Sequence, residues 1–346
     1  MLLARRFAAA ATAVLPIAGA FFILLFSAVE SRAAPTVGTC DDAAELAVLP
    51  SPVAPWKGAP LRVIFAAEKP LEGELSLIAP DGSVAAKSSE RHGGPPYFWL
   101  AEVAAPAAGT WHVALAREHA PSECSTITRD IAVRADEPPR PHAVPGSVWP
   151  VHNTWNRGTE NLYSAWIEKL FDAPLDATPS WPALHEVLRD RSRNFLFNHL
   201  GLGEDQMGLV YRPDCADLAY FLRAYFAFKM GLPFGYSKCS RGGGGEGPKC
   251  YSWWNIQNEE PRPAPAPPEQ IISHTPWGAP AQPIARPVST LPSRPAALAP
   301  GFGFYVRFTV ADAVHSGSAR ARPALTEACS PDGEPAEWAC PTGYAK

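Results

Sequence analysis

The sequence predicts an exported α+β protein, in which a β-sandwich of short strands is followed by a helical lobe with only a small β part. Three observations carry this. The N-terminus has the layout of a targeting segment. Residues up to about 134 alternate apolar and polar with turn signals at short intervals. Beyond a proline-rich boundary near Pro138 the apolar spacing changes from two to the three-and-four rhythm of helices.

The chain opens Met1-Leu-Leu-Ala-Arg5-Arg6 and continues without charge from Phe7 to Val29. Ser31-Arg32-Ala33 then supplies a small-x-small cleavage pattern. Residues 1–34 are therefore expected to be a secretory signal. The alternative is an uncleaved membrane anchor, because the apolar run is long enough to span a bilayer at ~1.5 Å per residue. Either reading places the remainder in the periplasm or another extracytoplasmic space, with any membrane contact made through this segment alone. About 310 residues remain, room for two ordinary domains. The formal net charge of -4, with no basic stripe, argues against nucleic acid as a partner.

The expected strands run through Leu61-Arg-Val63-Ile-Phe65, Glu74-Leu75-Ser-Leu77-Ile78, Phe98-Trp-Leu100, Thr110-Trp111-His-Val113-Ala-Leu115 and Ile127-Thr-Arg-Asp-Ile131-Ala-Val133, with Asp81-Gly82 as a turn. Residues 40–134 thus read as a β-sandwich able to fold alone. The stretch Gly109-Thr-Trp-His-Val-Ala-Leu115 resembles a late strand of bacterial immunoglobulin-like domains. Residues 135–147, rich in proline, read as a linker.

Helices are expected from Glu160 to Phe171, from Trp181 to Leu200, and from Cys215 to about Met230, the last stopped by Gly231 and Pro233. Trp149, Trp155 and Trp166 read as core of this lobe. A proline-rich insertion over 259–300 follows, and Phe302-Gly-Phe-Tyr-Val306-Arg-Phe-Thr-Val310 alternates as a strand.

Seven cysteines in an exported chain leave one thiol over. Sequence proximity suggests Cys239 with Cys250 and Cys329 with Cys340, while Cys40 with Cys124 would bracket the sandwich. Cys215 is then the odd one. Asp214 stands in the N-cap position and Asp217 where a capping-box partner would sit, so Cys215 falls in a first helical turn. Unpaired backbone N–H groups and the helix dipole there favour the thiolate. The acidic neighbours oppose it unless their carboxylates are engaged in capping.

The run Asp214-Cys215-Ala216-Asp217-Leu218, with Phe221, Gly231 and Leu232-Pro233, resembles the helix start of NlpC-type peptidases, papain-like enzymes that cut cell-wall peptides. The resemblance covers about 20 residues and implies that residues 148–346 form a papain-like domain with Cys215 as nucleophile. It also implies a His base on a following strand and a cell-wall peptide or envelope protein as partner. Ala216 and Asp217 stand where the family has Ser and Gly. No Gly-His strand follows; only His274 and His315 do, and His315, after the expected strand, is the better candidate base. Either the catalytic lobe is abbreviated or the chain is truncated relative to its relatives, and activity is expected to be weak or absent. The competing functions are a non-catalytic envelope scaffold or binding protein and a transglutaminase-like acyl transferase. The Gly-rich run after Arg241 follows no strand and is no phosphate loop. The Cys and His spacings match no zinc template, and no cofactor is expected.

Overall fold

The computed structural model describes residues 46–120, 122–206, 211–239, 249–260, 270–271, 284–285 and 294–314, all within one compact unit spanning Cys40–Lys346. The expected targeting segment, Cys40, His274, His315, the Gly-rich run after Arg241 and the cysteines of the tail lie outside the described residues. Among the described residues no helix is long and apolar enough to cross a membrane.

Two four-stranded antiparallel sheets face each other. The first has the order β1-β2-β6-β5, from strands β1 (Leu46–Ser51), β2 (Leu61–Ala67), β5 (His92–Gly93) and β6 (Tyr97–Val103). The second is β4-β3-β7-β8, from β3 (Gly73–Ile78), β4 (Val84–Ser88), β7 (Gly109–Arg117) and β8 (Thr126–Val133). Alternate residues meet between them: Leu61, Val63, Phe65 and Trp99 from the first sheet, Leu75, Leu77, Trp111, Val113, Leu115 and Ile131 from the second. This is the period-two burial that the alternating sequence encodes.

The first sheet is covered on its other face too. Leu49, Ile64, Ala66 and Phe98 point away from the sandwich into a second core, shared with the helices. β2 is accordingly apolar on nearly every residue except Arg62, whereas β8 keeps a polar outward face. The described residues thus form three layers, sheet on sheet on helices, with the first sheet in the middle.

Helix α1 (Arg157–Phe171) lies against β1 and β2. It starts with a reciprocal cap: the Thr159 N–H donates to Asn156 Oδ1 (3.0 Å) and the Asn156 N–H to Thr159 Oγ1 (2.8 Å). Leu162, Ala165, Trp166 and Leu170 form its buried stripe. The long helix expected over 181–200 is shorter: α2 spans Leu184–Arg189, and the chain then proceeds in tight turns through Asn194 and His199. Those turns let buried polar side chains replace the helical hydrogen-bond ladder, as described below.

Helix α3 (Cys215–Met230) ends as its sequence requires. Gly231 adopts φ +62°, and the Leu232 N–H bonds the Ala227 carbonyl (2.8 Å) while the Gly231 N–H reaches Phe228 (3.4 Å), a Schellman closure. The His152 ring lies where a Cβ on residue 231 would be, so both conformation and space demand glycine. Strands β9 (Gly235–Cys239) and β10 (Cys250–Asn255) follow as an antiparallel pair. Cys239 stands opposite Cys250 in that pairing. Cys124 and Cys250 are disulfide-bonded, their partner sulfurs lying outside the described side chains. Trp149, at the middle of the helical core, packs against Phe228, Phe234, Phe302 and Tyr305 and donates its Nε1–H to the Leu232 carbonyl (2.8 Å).

The strand expected over 302–310 is instead helical. α4 (Leu298–Tyr305) continues through a π-helical turn (Val306–Val310) into α5 (Ala311–Ala313). Phe302, Tyr305, Val306, Val310 and Ala313 enter the core at helical intervals. The short run satisfies both periods, and burial of this stripe overrides the cost of Gly301 and Gly303 in a helix. Pro300 sits in the first turn, where its missing N–H has no intrahelical partner to lose.

Because the middle sheet is buried on both faces, an excised fragment of residues 46–134 is expected to self-associate through Leu49, Ile64, Ala66 and Phe98. Sedimentation velocity checks this, and a stable monomer would show that the helices contribute little to covering the sheet.

Candidate functional site

The start of α3 has the geometry its sequence suggests. The Asp217 N–H donates to Asp214 Oδ1 (2.8 Å), and the Asp214 N–H points back to Asp217 Oδ2 (3.4 Å). The Leu218 N–H bonds the Asp214 carbonyl (3.0 Å), so Cys215 is the first residue of the helix. Both acidic side chains are therefore drawn onto backbone N–H groups. The Cys215 backbone is defined here; its side chain is not among those described.

One imidazole does stand beside the segment entering α3. The Leu184 N–H bonds the Tyr211 carbonyl (2.9 Å), and the Tyr211 N–H donates to His185 Nδ1 (3.2 Å). In this arrangement the Tyr211 N–H occupies the Nδ1 lone pair of His185. His185 is thereby tied to the segment that enters α3 through its Nδ1. His315, the candidate from sequence, lies outside the described residues, and the segment before it is helix rather than strand.

Deeper in the lobe lies a buried charge cluster that sequence reading missed. Lys229, on α3, has no side-chain exposure. Its Nζ donates to Glu204 Oε1 (2.5 Å) and Asp205 Oδ2 (2.7 Å). Glu204 also accepts from the N–H groups of Leu200 (2.9 Å) and Leu202 (3.0 Å). Asp205 accepts from the Asn198 N–H (2.7 Å) and the Tyr225 hydroxyl (2.6 Å). Burial pushes the Glu204 carboxyl up, but the Lys229 charge and these hydrogen bonds outweigh it and hold it below its ordinary value. Burial raises the Tyr225 phenol well above its ordinary value, and the Asp205 charge adds to that.

Asn194 extends the network. Its Oδ1 accepts from Trp166 Nε1 (3.0 Å) and the Leu196 N–H (3.0 Å), and its Nδ2 donates to the Leu188 carbonyl (2.7 Å) and Tyr225 Oη (2.8 Å). All four amide positions are used, tying α1, α2 and α3 together. From the middle sheet, Arg62 donates to the Phe197 carbonyl (2.6 Å), the Asn194 carbonyl (3.4 Å) and Ser51 Oγ (3.0 Å). His199 Nδ1 lies 3.1 Å from the same Ser51 Oγ. Fully buried, His199 is lowered to about 3, first by desolvation and then by the Lys229 and Arg62 charges, so it stays neutral.

Glu204, Asp205 and Tyr225 also reach one end of a cavity of about 340 Å3 between α2, α3 and α4. Aromatic rings such as Phe221, Phe302 and Phe308, together with aliphatic side chains such as Leu184 and Leu222, make most of its wall, with His185, Tyr211 and Arg307 as further polar members. Among the described residues no group of His, Cys, Asp and Glu could hold a metal ion. No protein-family model, no curated protein and no solved structure matches the chain.

The only sequence hint of the cluster is a lysine inside the apolar run Ala224-Tyr-Phe-Ala-Phe-Lys229-Met, four residues after Tyr225. A charge at such a position must be paired or exposed.

Two outcomes are expected. Lys229→Met leaves two buried carboxylates without their cation and should lower the unfolding free energy by about 3–5 kcal/mol in urea titrations; a loss below about 1 kcal/mol would mean the carboxylates are rescued by water. His199 titrates near 6.5 unfolded and near 3 folded, so between those values the unfolded state binds more protons and stability falls as pH falls. The wild type should be about 2 kcal/mol less stable at pH 5 than at pH 7 from this residue. The difference between wild type and His199→Gln across that range isolates the contribution.

Proposed function

We propose that this chain is an exported cell-envelope protein in which an immunoglobulin-like sandwich carries a papain-like helical lobe, and that Cys215 is the nucleophile of a thiol hydrolase acting on peptide or amide bonds of cell-wall peptides. Two observations support the architecture. With β1, β2, β6 and β5 as strands A, B, E and D, and β4, β3, β7 and β8 as C′, C, F and G, the sheet orders read ABED and C′CFG, the immunoglobulin layout with one added strand. A long helix opening on Cys215 and packed centrally in the lobe fits the papain-like expectation.

The reciprocal cap of Asp214 and Asp217 carries the chemical reading. With both carboxylates drawn onto backbone N–H groups, residue 215 stands in the first turn of α3, at the positive end of the helix dipole, a position that favours a thiolate. Thiolate attack on a carbonyl would form an acyl-enzyme and expel an amine, which takes a proton from the general acid; water then hydrolyses the thioester and returns the thiol. The base of this cycle is assigned to His315. Turnover is expected to be slow, because the residues leading to His315 form a helix rather than the strand that holds such a base rigid.

The test has two parts. Iodoacetamide should alkylate Cys215 and leave Cys250 unmodified in the unreduced protein. Peptidoglycan digestion should be slow in wild type and absent in Cys215→Ala and His315→Ala. Alkylation elsewhere with Cys215 silent, or digestion indifferent to Cys215→Ala, would overturn the assignment.

The second reading is a binding protein without turnover. The aromatic-walled cavity beside α3 favours it.

A further inference from the structure

We propose that the cavity between α2, α3 and α4 is a binding site for a single-chain amphipathic carboxylate, with the acyl chain among the aromatic rings and the carboxylate on Arg307. The inference is independent of Cys215 chemistry and holds whether or not the chain turns over a substrate.

The volume, about 340 Å3, lies at the lower end of ligand cavities. It suits one short acyl chain and is too small for the two chains of a membrane lipid. Leu188, Phe221, Leu222, Phe228 and Phe302 give an apolar wall. Such walls hold a hydrocarbon without directional demands.

Two polar groups at this site are left with hydrogen-bonding capacity or charge that no oppositely charged or hydrogen-bonding group meets among the described residues, and both point to the ligand's charge. Tyr211 is buried, its ring edge-on to Phe221 at 4.2 Å, and among the described residues its hydroxyl has no hydrogen-bond partner. A buried hydroxyl left in that state is costly unless a ligand completes it. Arg307 lines the same cavity and is exposed; its guanidinium lies over the Phe308 ring (5.2 Å to the centroid), and among the described residues no carboxylate pairs with it. Its charge lowers the Tyr211 phenol that burial raises, so the two groups sense each other. Arg307 and the exposed ring of Phe308 both sit in the π-helical turn, an irregularity that re-aims side chains and recurs at functional sites.

The carboxylates at the cavity do not compete for this role. Glu204 and Asp205 have their oxygens engaged by Lys229, three backbone N–H groups and Tyr225. They also associate with the far half of α3. From Phe221, which packs on Tyr211, to Lys229 is eight residues, about 12 Å of helix. A cation would therefore find its counter-charges already paired, while an anion finds Arg307 held only against the Phe308 ring, with no carboxylate on it among the described residues.

Calorimetric titration of the full chain with decanoate, decanol and decylamine, all below their micellar concentrations, tests the proposal. Decanoate should bind with one-to-one stoichiometry and about tenfold or more tighter than decanol, with decylamine no tighter than decanol. Arg307→Ala should reduce decanoate to the decanol level and leave decanol unchanged. Ala299→Trp, which fills the cavity from a half-buried wall position, should abolish binding of both while circular dichroism reports an intact fold. Absence of decanoate binding, decylamine binding as tightly as decanoate, or decanoate affinity indifferent to Arg307→Ala would each overturn it.

Discussion

The lobe is organised around the obligation to neutralise one buried ammonium. Lys229 has no side-chain exposure, and an unpaired charge in that position would cost several kcal/mol. The two carboxylates that meet it come from adjacent residues, Glu204 and Asp205, and holding both toward one point fixes the turns from Asn194 to Gln206. Those turns in turn present Asn194 to three helices and the Phe197 carbonyl to Arg62 of the middle sheet. The polar network therefore does what a hydrophobic contact cannot: it specifies direction as well as proximity.

Helix α3 is the element on which the separate features converge. Its first turn holds Cys215 under the Asp214–Asp217 cap, its middle supplies Phe221, Leu222 and Tyr225 to the cavity, and its last turn carries Lys229 before the Gly231 closure. A second tie runs to α1, where Arg223 makes a two-pronged pair with Glu160 (2.6 and 2.5 Å) while its guanidinium covers the Trp155 ring at 3.3 Å. Such planar stacking with forked hydrogen bonds is specific to arginine. A rigid α3 holds both ends of the helix in fixed register with the cavity between them.

Much of this was legible in the sequence, and the exceptions have physical causes. The strands of the second sheet alternate cleanly because one face meets water; Thr126-Ile-Thr-Arg-Asp-Ile-Ala-Val133 could hardly be read otherwise. The cap of α3 and its glycine stop were equally explicit, since both depend on residues adjacent in the chain. What failed was whatever depends on distant partners. Residues 302–310 alternate over a few positions yet also place Phe302, Tyr305, Val306 and Val310 on one helical stripe, and only the tertiary core decides between the two periods. The stretch after α2 is apolar enough for helix, but Asn194, His199, Glu204 and Asp205 find better partners in turns. Leu61-Arg-Val63-Ile-Phe65 read as an alternating strand with one covered face, whereas Ile64 and Ala66 are buried in the helical core on the other face, a cover supplied by distant residues.

The middle sheet's double burial bears on how the two halves travel together. Residues 135–147 look like a hinge between separable modules, yet the Val53 N–H bonds the His199 carbonyl (2.9 Å), Arg62 reaches across the same boundary, and Arg157 pairs with Glu68. A protease that nicks the connecting loop would leave two fragments still clasped through this shared face. For recombination, the heritable piece is the sheet pair together with its helical cover, so a graft of either half onto a foreign scaffold would carry an uncovered adhesive surface with it.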